Sequence, residues 1–237
     1  MIELIKKGVR SPRDVPPYIM AKILPSSILK RTYDFQSSAI EGDGFYTFEE
    51  GGFAGGANTR AEFAAKNYYE VSQIQNVLEN IGMDLDNSLE VGAGYGRLSP
   101  WIADFSNTHL GIDPNRDAIN KARRQYPKLD FEECLIQDFS VNNGPFDLVV
   151  TWTVLQHIPP GSIQDAVTTI QSVSSTPSYI LVCEETSPEA GNDHTWPRSV
   201  NEYNDLFEGQ ELVEVQNREL EPTYRHQGGK IILFRKC

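Results

Sequence analysis

An α/β fold, with a seven-stranded, mainly parallel sheet, helices on both faces and a C-terminal antiparallel hairpin, is predicted by three observations. From residue 82 onward, short apolar runs alternate with stretches of helical periodicity, the pattern of βαβ units. Three glycines, Gly92, Gly94 and Gly96, stand where the first of these runs gives way to a helix. The last two runs are joined by a loop with no helix between them, so the chain closes on a hairpin and not on another crossover.

The elements follow in order. Residues 1–40 are punctuated by Pro12, Pro16, Pro17 and Pro25, with Ile19, Met20, Ile23 and Leu24 at helical spacing, which reads as a short amphipathic element. The glycine-rich stretch 42–58 reads as a loop. From Thr59, the residues Phe63, Tyr68 or Tyr69, Ile74, Val77, Leu78 and Ile81 recur at helical spacing up to Gly82, a natural C-cap. Expected strands are 88–91, 108–113, 129–135, 146–152, 179–184, 211–218 and 230–235, with helices at 96–105, 115–126, 161–174 and 199–208. The domain organisation expected is a basic arm and glycine-rich lid loop over 1–58, then one domain with a leading helix over 59–237.

Charge sets limits on partners. The chain has 33 acidic and 21 basic residues and a formal net charge of −12. A general nucleic-acid binder has a basic excess, so no nucleic-acid partner is expected. The excess is uneven: Lys6, Lys7, Arg10, Arg13, Lys22, Lys30 and Arg31 face only Glu3 and Asp14 in residues 1–31, so a basic arm joins an acidic body. Cys134, Cys183 and Cys237 are odd in number, far apart and without metal-ligand spacing. Neither a disulfide framework nor a metal site is expected, and a reducing compartment fits. No apolar stretch reaches membrane-spanning length, so the protein is expected in the cytoplasm.

The sharpest motif is LEVGAGYGRLS at 89–99. The spacing G-x-G-x-G lets the backbone turn tightly and a ligand approach it, and it differs from the G-x-G-x-x-G of dinucleotide sites. Asp113 closes the next expected strand, where a carboxylate can accept hydrogen bonds from both hydroxyls of a ribose. Asp138 ends the third, in LIQDF, placed to reach an exocyclic amine, with Phe139 beside it for stacking. Three successive strand ends therefore converge on the carboxyl edge, where open α/β sheets bind ligands.

Together, LEVGAGYG, GIDP, QDF and FDLVVTWTVLQHIP resemble the class I S-adenosylmethionine-dependent methyltransferases, a Rossmann-like family whose last strand is antiparallel. The resemblance covers about 82–237. It implies S-adenosyl-L-methionine as cofactor, with Glu90, Gly92, Gly94 and Gly96 around the methionine part, Asp113 and Pro114 at the ribose, Asp138 and Phe139 at the adenine, and Thr151 on the sulfonium side. A non-catalytic subunit that binds the same cofactor remains an alternative of another class, and a NAD-dependent dehydrogenase a further one.

For the acceptor, the loop after the fifth strand, CEETSPEAGNDHTWPRSVNEY, brings Glu184, Glu185, His194, Trp196 and Arg198 near the same edge. His194 is a candidate base and Arg198 an anion holder, Arg being suited by its fork of donors; helix capping or pairing with a carboxylate is the other reading of Arg198. His157 is either a second base or a structural hydrogen bonder. Arg60 and Tyr69 belong to a region that tends to fold over the cofactor in this family, and with Trp196 they are candidate substrate contacts; core packing is equally open for the tyrosine. Thr151-Trp152-Thr153 stands where amide- and base-nitrogen methylases have an Asn/Asp-Pro-Pro-Tyr-type signature, which favours an oxygen acceptor.

The N-terminal SPRDVPPYIMAKILPSSIL and the later RSVNEY also resemble proteins of archaeal surface-glycan assembly, in particular hexuronic acid methyltransferases of haloarchaeal S-layer N-glycosylation. That implies esterification of a uronic carboxylate on a lipid-linked glycan at the inner membrane face, with the basic arm 1–31 docked on anionic lipid; packing of the arm on its own domain is the other reading. An acidic body suits a high-salt cytoplasm. The alternative acceptor is a sugar hydroxyl or small molecule, with His194 or His157 as base.

Overall fold

The structure, a computed structural model, describes residues 60–82, 84–140, 144–191, 194–219 and 229–237. The expected arm and lid over 1–58 lie outside the described residues. Contacts divide what is described into two units, one holding 60–73 with Glu219 and the other the remainder. In the first unit, Gln73 Nε2 donates to the Glu219 carbonyl at 2.9 Å and the Glu219 N–H returns a bond to Gln73 Oε1 at 2.6 Å.

The leading helix, α1, runs Arg60–Ile81. It stops at Gly82, whose φ of +62° is the left-handed conformation that glycine adopts without a Cβ penalty. Of the residues expected to face inward, Ile74, Val77 and Leu78 are buried.

The second unit is a seven-stranded sheet built from β1 (Leu85–Val91), β2 (Ser106–Asp113), β3 (Asp130–Glu133), β4 (Phe146–Trp152), β5 (Ser174–Glu185), β6 (Glu211–Asn217) and β7 (Gly229–Lys236). Their order is β3-β2-β1-β4-β5-β7-β6. All pairs are parallel except β5 with β7 and β6 with β7, so the mixed sheet and terminal hairpin are as expected. Helices α2 (Ser99–Ala103), α3 (Arg116–Gln125), α4 (Ile163–Val173) and α5 (Val200–Leu206) lie between strands. Strand order reverses between β1 and β4, which opens a crevice at their carboxyl ends.

Burial follows from that layering. Leu148, Val149 and Val150 on β4 are all buried, as a central strand covered on both faces requires. One core gathers Leu89, Ile112, Val149, Ile180, Ile170 and Phe234; a smaller one joins Ala93, Ile119, Ala122 and Phe131. Phe207, just beyond α5, stacks on Phe234 with ring centroids 4.8 Å apart. No helix among the described residues is long and apolar enough to cross a membrane.

Several boundaries differ from the sequence reading, β1 starting at Leu85 and not at 88 among them. β5 begins at Ser174, five residues early, and carries Pro177 past a register shift opposite Phe146 and Leu148, where a missing N–H costs no ladder bond. β3 is short: Leu135 leaves the sheet and stands 47% exposed. α2 has five residues, because the glycine turn continues to Leu98 and Pro100 can only occupy the first helical turn.

α5 starts in a reciprocal capping box, Ser199 Oγ accepting from the Glu202 N–H and the Glu202 side chain accepting from the Ser199 N–H. The Ser199 bonds hold the Glu202 carboxyl below the usual carboxylate range. Ser199→Ala is expected to cost about 1 kcal/mol, read as a lower urea midpoint with unchanged slope.

Candidate functional site

The glycine turn follows from β1. Gly92, Gly94 and Gly96 all have positive φ, at +74°, +56° and +81°, so the turn is closed to L side chains. The N–H groups of Gly92 and Ala93 both donate to the Ile112 carbonyl, at 2.8 and 2.9 Å, which fastens the turn across the end of β2. The space of a side chain at Gly92 is already filled from within: a Cβ there would lie 2.3 Å from Val154 Cγ2. At Gly96 the neighbours are Tyr126 and Phe131. The two outer glycines thus serve internal packing as well as the turn, where the sequence reading had them making room for a ligand.

Asp113, at the end of β2, is 8% exposed. Its Oδ2 accepts the Gly94 N–H at 2.9 Å and its Oδ1 the Asn115 N–H at 2.8 Å. Burial pushes its pKa up and those two bonds pull it down, with the burial larger. Each carboxylate oxygen keeps a second lone pair, so the group can hold the turn and still accept a pair of hydroxyls. Pro114 follows, exposed. Asp138, in the 3-10 turn Ile136–Asp138, is also exposed at this edge.

Other expectations are corrected. Phe139 is buried in the main core against Phe146, with centroids 6.2 Å apart, so its ring belongs to the core and not to a stacking surface. Thr151 is fully buried and its hydroxyl donates to Glu184 Oε1 at 3.2 Å; it faces β5, not an open sulfonium side. Glu90 is buried, its Oε2 accepting the Ser99 hydroxyl and lying 3.6 Å from His109 Nε2. That oxygen ties β1 to α2 and β2. Arg60 and Tyr69 lie on α1 in the first unit.

The segment after β4 is held by a carboxylate. Glu184 is fully buried; its Oε1 accepts the N–H groups of Val154 and Leu155, each at 3.1 Å, and its Oε2 that of Gln156 at 3.1 Å. Burial raises its pKa, opposed by those three bonds and by His157. Thr153, just before, has φ of +58°, an uncommon conformation for a β-branched residue.

The acceptor-side segment 194–198 docks on this loop through its backbone. His157 Nδ1 meets the His194 carbonyl at 2.8 Å, and the Trp196 N–H donates to the Gln156 carbonyl at 2.7 Å. Arg198, 7% exposed, donates through Nη1 to the Leu155 and Trp196 carbonyls at 2.8 and 3.2 Å and through Nη2 to the Ile158 carbonyl at 2.6 Å. Its fork is spent on carbonyls, so it is a structural strut where the sequence reading had an anion holder. His157 and His194 are exposed and Trp196 is half-buried. Arg198→Ala is expected to lower stability by about 2–4 kcal/mol, since three carbonyls lose charged donors. Turnover of carboxylate and neutral acceptors should fall alike; a loss confined to carboxylates would restore Arg198 to the acceptor.

Two features escaped the sequence. Glu184 was visible in CEET, but the N–H groups it accepts lie 28 to 30 residues earlier. Arg218, after β6, is buried with its guanidinium 5.6 Å from the Trp152 ring centroid, a cation–π approach that no local pattern announces.

Comparison with known proteins follows the same lines. Residues 89–176 match the model of the methyltransferase domain family. An uncharacterised methyltransferase of Synechocystis is 26% identical over 97 residues, 40% of this chain and 46% of that protein, so the match spans about half of the relative's length. Among solved structures, the N-methyltransferase NodS of Bradyrhizobium japonicum, in complex with S-adenosylhomocysteine, superposes with a TM-score of 0.65 at 16% identity, covering 86% of this chain and 98% of that one. The magnesium protoporphyrin IX methyltransferase of Synechocystis with bound S-adenosylmethionine gives 0.61 at 14% identity, covering 90% and 98%. At these identities the likeness is one of fold.

Proposed function

We propose that this chain, whose residues 89–176 match the model of the methyltransferase domain family, uses S-adenosylmethionine to methylate an oxygen, and that the oxygen belongs to the carboxylate of a hexuronic acid in a lipid-linked surface glycan. The observation that carries the cofactor reading is the meeting of the positive-φ glycine turn, Asp113 and the exposed Asp138 at the strand-order reversal. When bound, the cofactor would supply an electrophilic methyl carbon open to attack by an acceptor oxygen in line with the carbon–sulfur bond, an O–C bond forming as the C–S bond breaks and S-adenosylhomocysteine leaves. The protein's part is alignment and exclusion of water. Asp113 offers its remaining lone pairs to ribose hydroxyls and, through Gly94, fixes the turn on which the cofactor rests.

A carboxylate acceptor carries no proton to remove, so no general base is required. Supporting that acceptor are the resemblance of residues 11–29 and of RSVNEY to surface-glycan proteins and the Thr151-Trp152-Thr153 sequence at the end of β4. The basic arm 1–31 fits docking on anionic lipid, which would keep the protein at the inner membrane face. A hydroxyl acceptor is the second reading, favoured by one observation: His157 has Nδ1 held by the His194 carbonyl, which leaves Nε2, 3.3 Å from the Gln156 amide nitrogen that donates to it, as the basic nitrogen of an oriented ring.

The test is transfer of radiolabelled methyl from S-adenosylmethionine to a glucuronate-terminated and a glucose-terminated glycolipid. Label on the glucuronate lipid alone, released as methanol by mild alkali, is the expected result; an alkali-stable product marks an ether and overturns the carboxylate reading. Full-length protein should sediment with phosphatidylglycerol vesicles and a chain lacking 1–31 should not.

A further inference from the structure

We propose that Glu184 is a positioning residue that holds the glycine turn and the 194–198 segment in one arrangement through the loop Thr153–Gln156. The proposal rests on reading the glycine turn as the cofactor site. Its basis is a chain of contacts running both ways from one buried carboxylate. Glu184 accepts three successive N–H groups, those of Val154, Leu155 and Gln156, and the Thr151 hydroxyl as a fourth donor.

On one side of that loop, the Val154 side chain rests on Gly92, close enough that a Cβ at Gly92 would overlap it at 2.3 Å. The position of Val154 therefore sets the seat of the turn. On the other side, the carbonyls of Leu155, Gln156 and Ile158 carry Arg198 and the Trp196 N–H. The Gln156 side chain also accepts the Glu185 N–H at 2.7 Å, closing the loop back onto β5.

Strain gives the arrangement its reason. A β-branched residue in the left-handed region is strained and persists only where its surroundings over-determine it. Thr153 is such a residue, with its N–H bonded to the Cys183 carbonyl at 2.7 Å and the next three N–H groups on Glu184. Desolvation disfavours a charge at Glu184, and a neutral apolar side chain would avoid that cost; the carboxylate earns its place by offering two oxygens to a row of donors. Glutamine has the same shape but only one acceptor oxygen, so its amide N–H group would face a backbone donor.

Amide hydrogen exchange on the full chain, without ligand, tests both halves of the proposal in Glu184→Gln. Val154, Leu155 and Gln156 should exchange at least tenfold faster than in wild type, together with Gly92, Ala93 and Trp196, while Val150 and Leu181 within the sheet keep wild-type rates. Unchanged rates at 154–156 overturn the clamp, and unchanged rates at 92, 93 and 196 overturn the coupling. Should Val150 and Leu181 also accelerate, Val154→Ala is the second variant: faster exchange at Gly92 and Ala93 with 155–156 still protected supports the coupling, and wild-type exchange at Gly92 and Ala93 overturns it. Calorimetry with S-adenosylhomocysteine should give a Kd raised at least tenfold in Glu184→Gln. Wild type that fails to bind the compound sinks the cofactor reading, whereas Glu184 is still decided by exchange.

Discussion

Asp113→Ala is expected to weaken S-adenosylhomocysteine binding at least 100-fold. Two hydrogen bonds from hydroxyls to an ionised carboxylate contribute about 1.5–3 kcal/mol each, and the same side chain fixes Gly94 through its N–H at 2.9 Å. The variant therefore loses a ligand contact and loosens the turn that seats the ligand. Stability should fall by about 1–2 kcal/mol as the Gly94 and Asn115 N–H groups lose their acceptor. Calorimetry separates the two effects from a melting curve. An unchanged affinity in folded Asp113→Ala would remove Asp113 from the ribose.

Proton linkage at Asp113 has a definite sign. Burial raises its pKa above the ordinary 3.8 in the native state, so the native protein binds this proton more tightly than the unfolded chain does. Between 3.8 and the raised value, stability contributed by this group falls as pH rises. Cofactor affinity should run the other way, since the ionised form accepts the hydroxyls: it should decline on acidification at a higher pH than an unperturbed aspartate would give. Titrating Kd by calorimetry from pH 7 downward checks this.

Gly92→Ala is the second large effect. The substitution forces φ of +74° on an L residue and places a methyl 2.3 Å from Val154 Cγ2. The left-handed backbone costs about 1–2 kcal/mol and overpacking about 1–3 kcal/mol more. Val154 is β-branched and stiff at χ1, so it can yield only by moving its backbone off Glu184. A total loss near 2–5 kcal/mol in urea unfolding is expected, with cofactor binding lost as well. Gly92→Ala in Val154→Ala should recover part of the stability; no recovery would mean that the clash is not the cause.

Much of this site was legible from one dimension, and the reason is local. Gly92, Gly94 and Gly96 announce a turn because no other residue type enters positive φ so cheaply. Asp113 announces a strand end because a parallel sheet sends every carboxyl end to one edge, whereas Asp138, expected to end the third strand, stands five residues beyond β3 in the turn Ile136–Asp138. The same logic placed β4 almost to the residue, since a doubly covered strand is a continuous apolar run. It fell short at β5, which starts at Ser174 and not at 179, with a register shift opposite Phe146 and Leu148 before the regular ladder.

Side-chain roles were less legible. Arg198 looked like an anion holder because a guanidinium on a loop near the edge has the right chemistry, yet the nearest acceptors are carbonyls of a turn about 40 residues earlier. Phe139 and Thr151 looked like ligand contacts for the same reason of address, and both point inward.

The sequence by itself therefore determined the sheet, the glycine turn, the acidic end of β2 and the acidic body with its basic arm, all of which rest on periodicity, composition or the special conformations of single residues. Only the tertiary structure decided that Glu184 clamps the loop after β4, that Val154 backs Gly92, and that Arg198 is a strut. Those roles depend on which donor a side chain finds across the fold, and a buried charge takes whatever partners the packing leaves nearest.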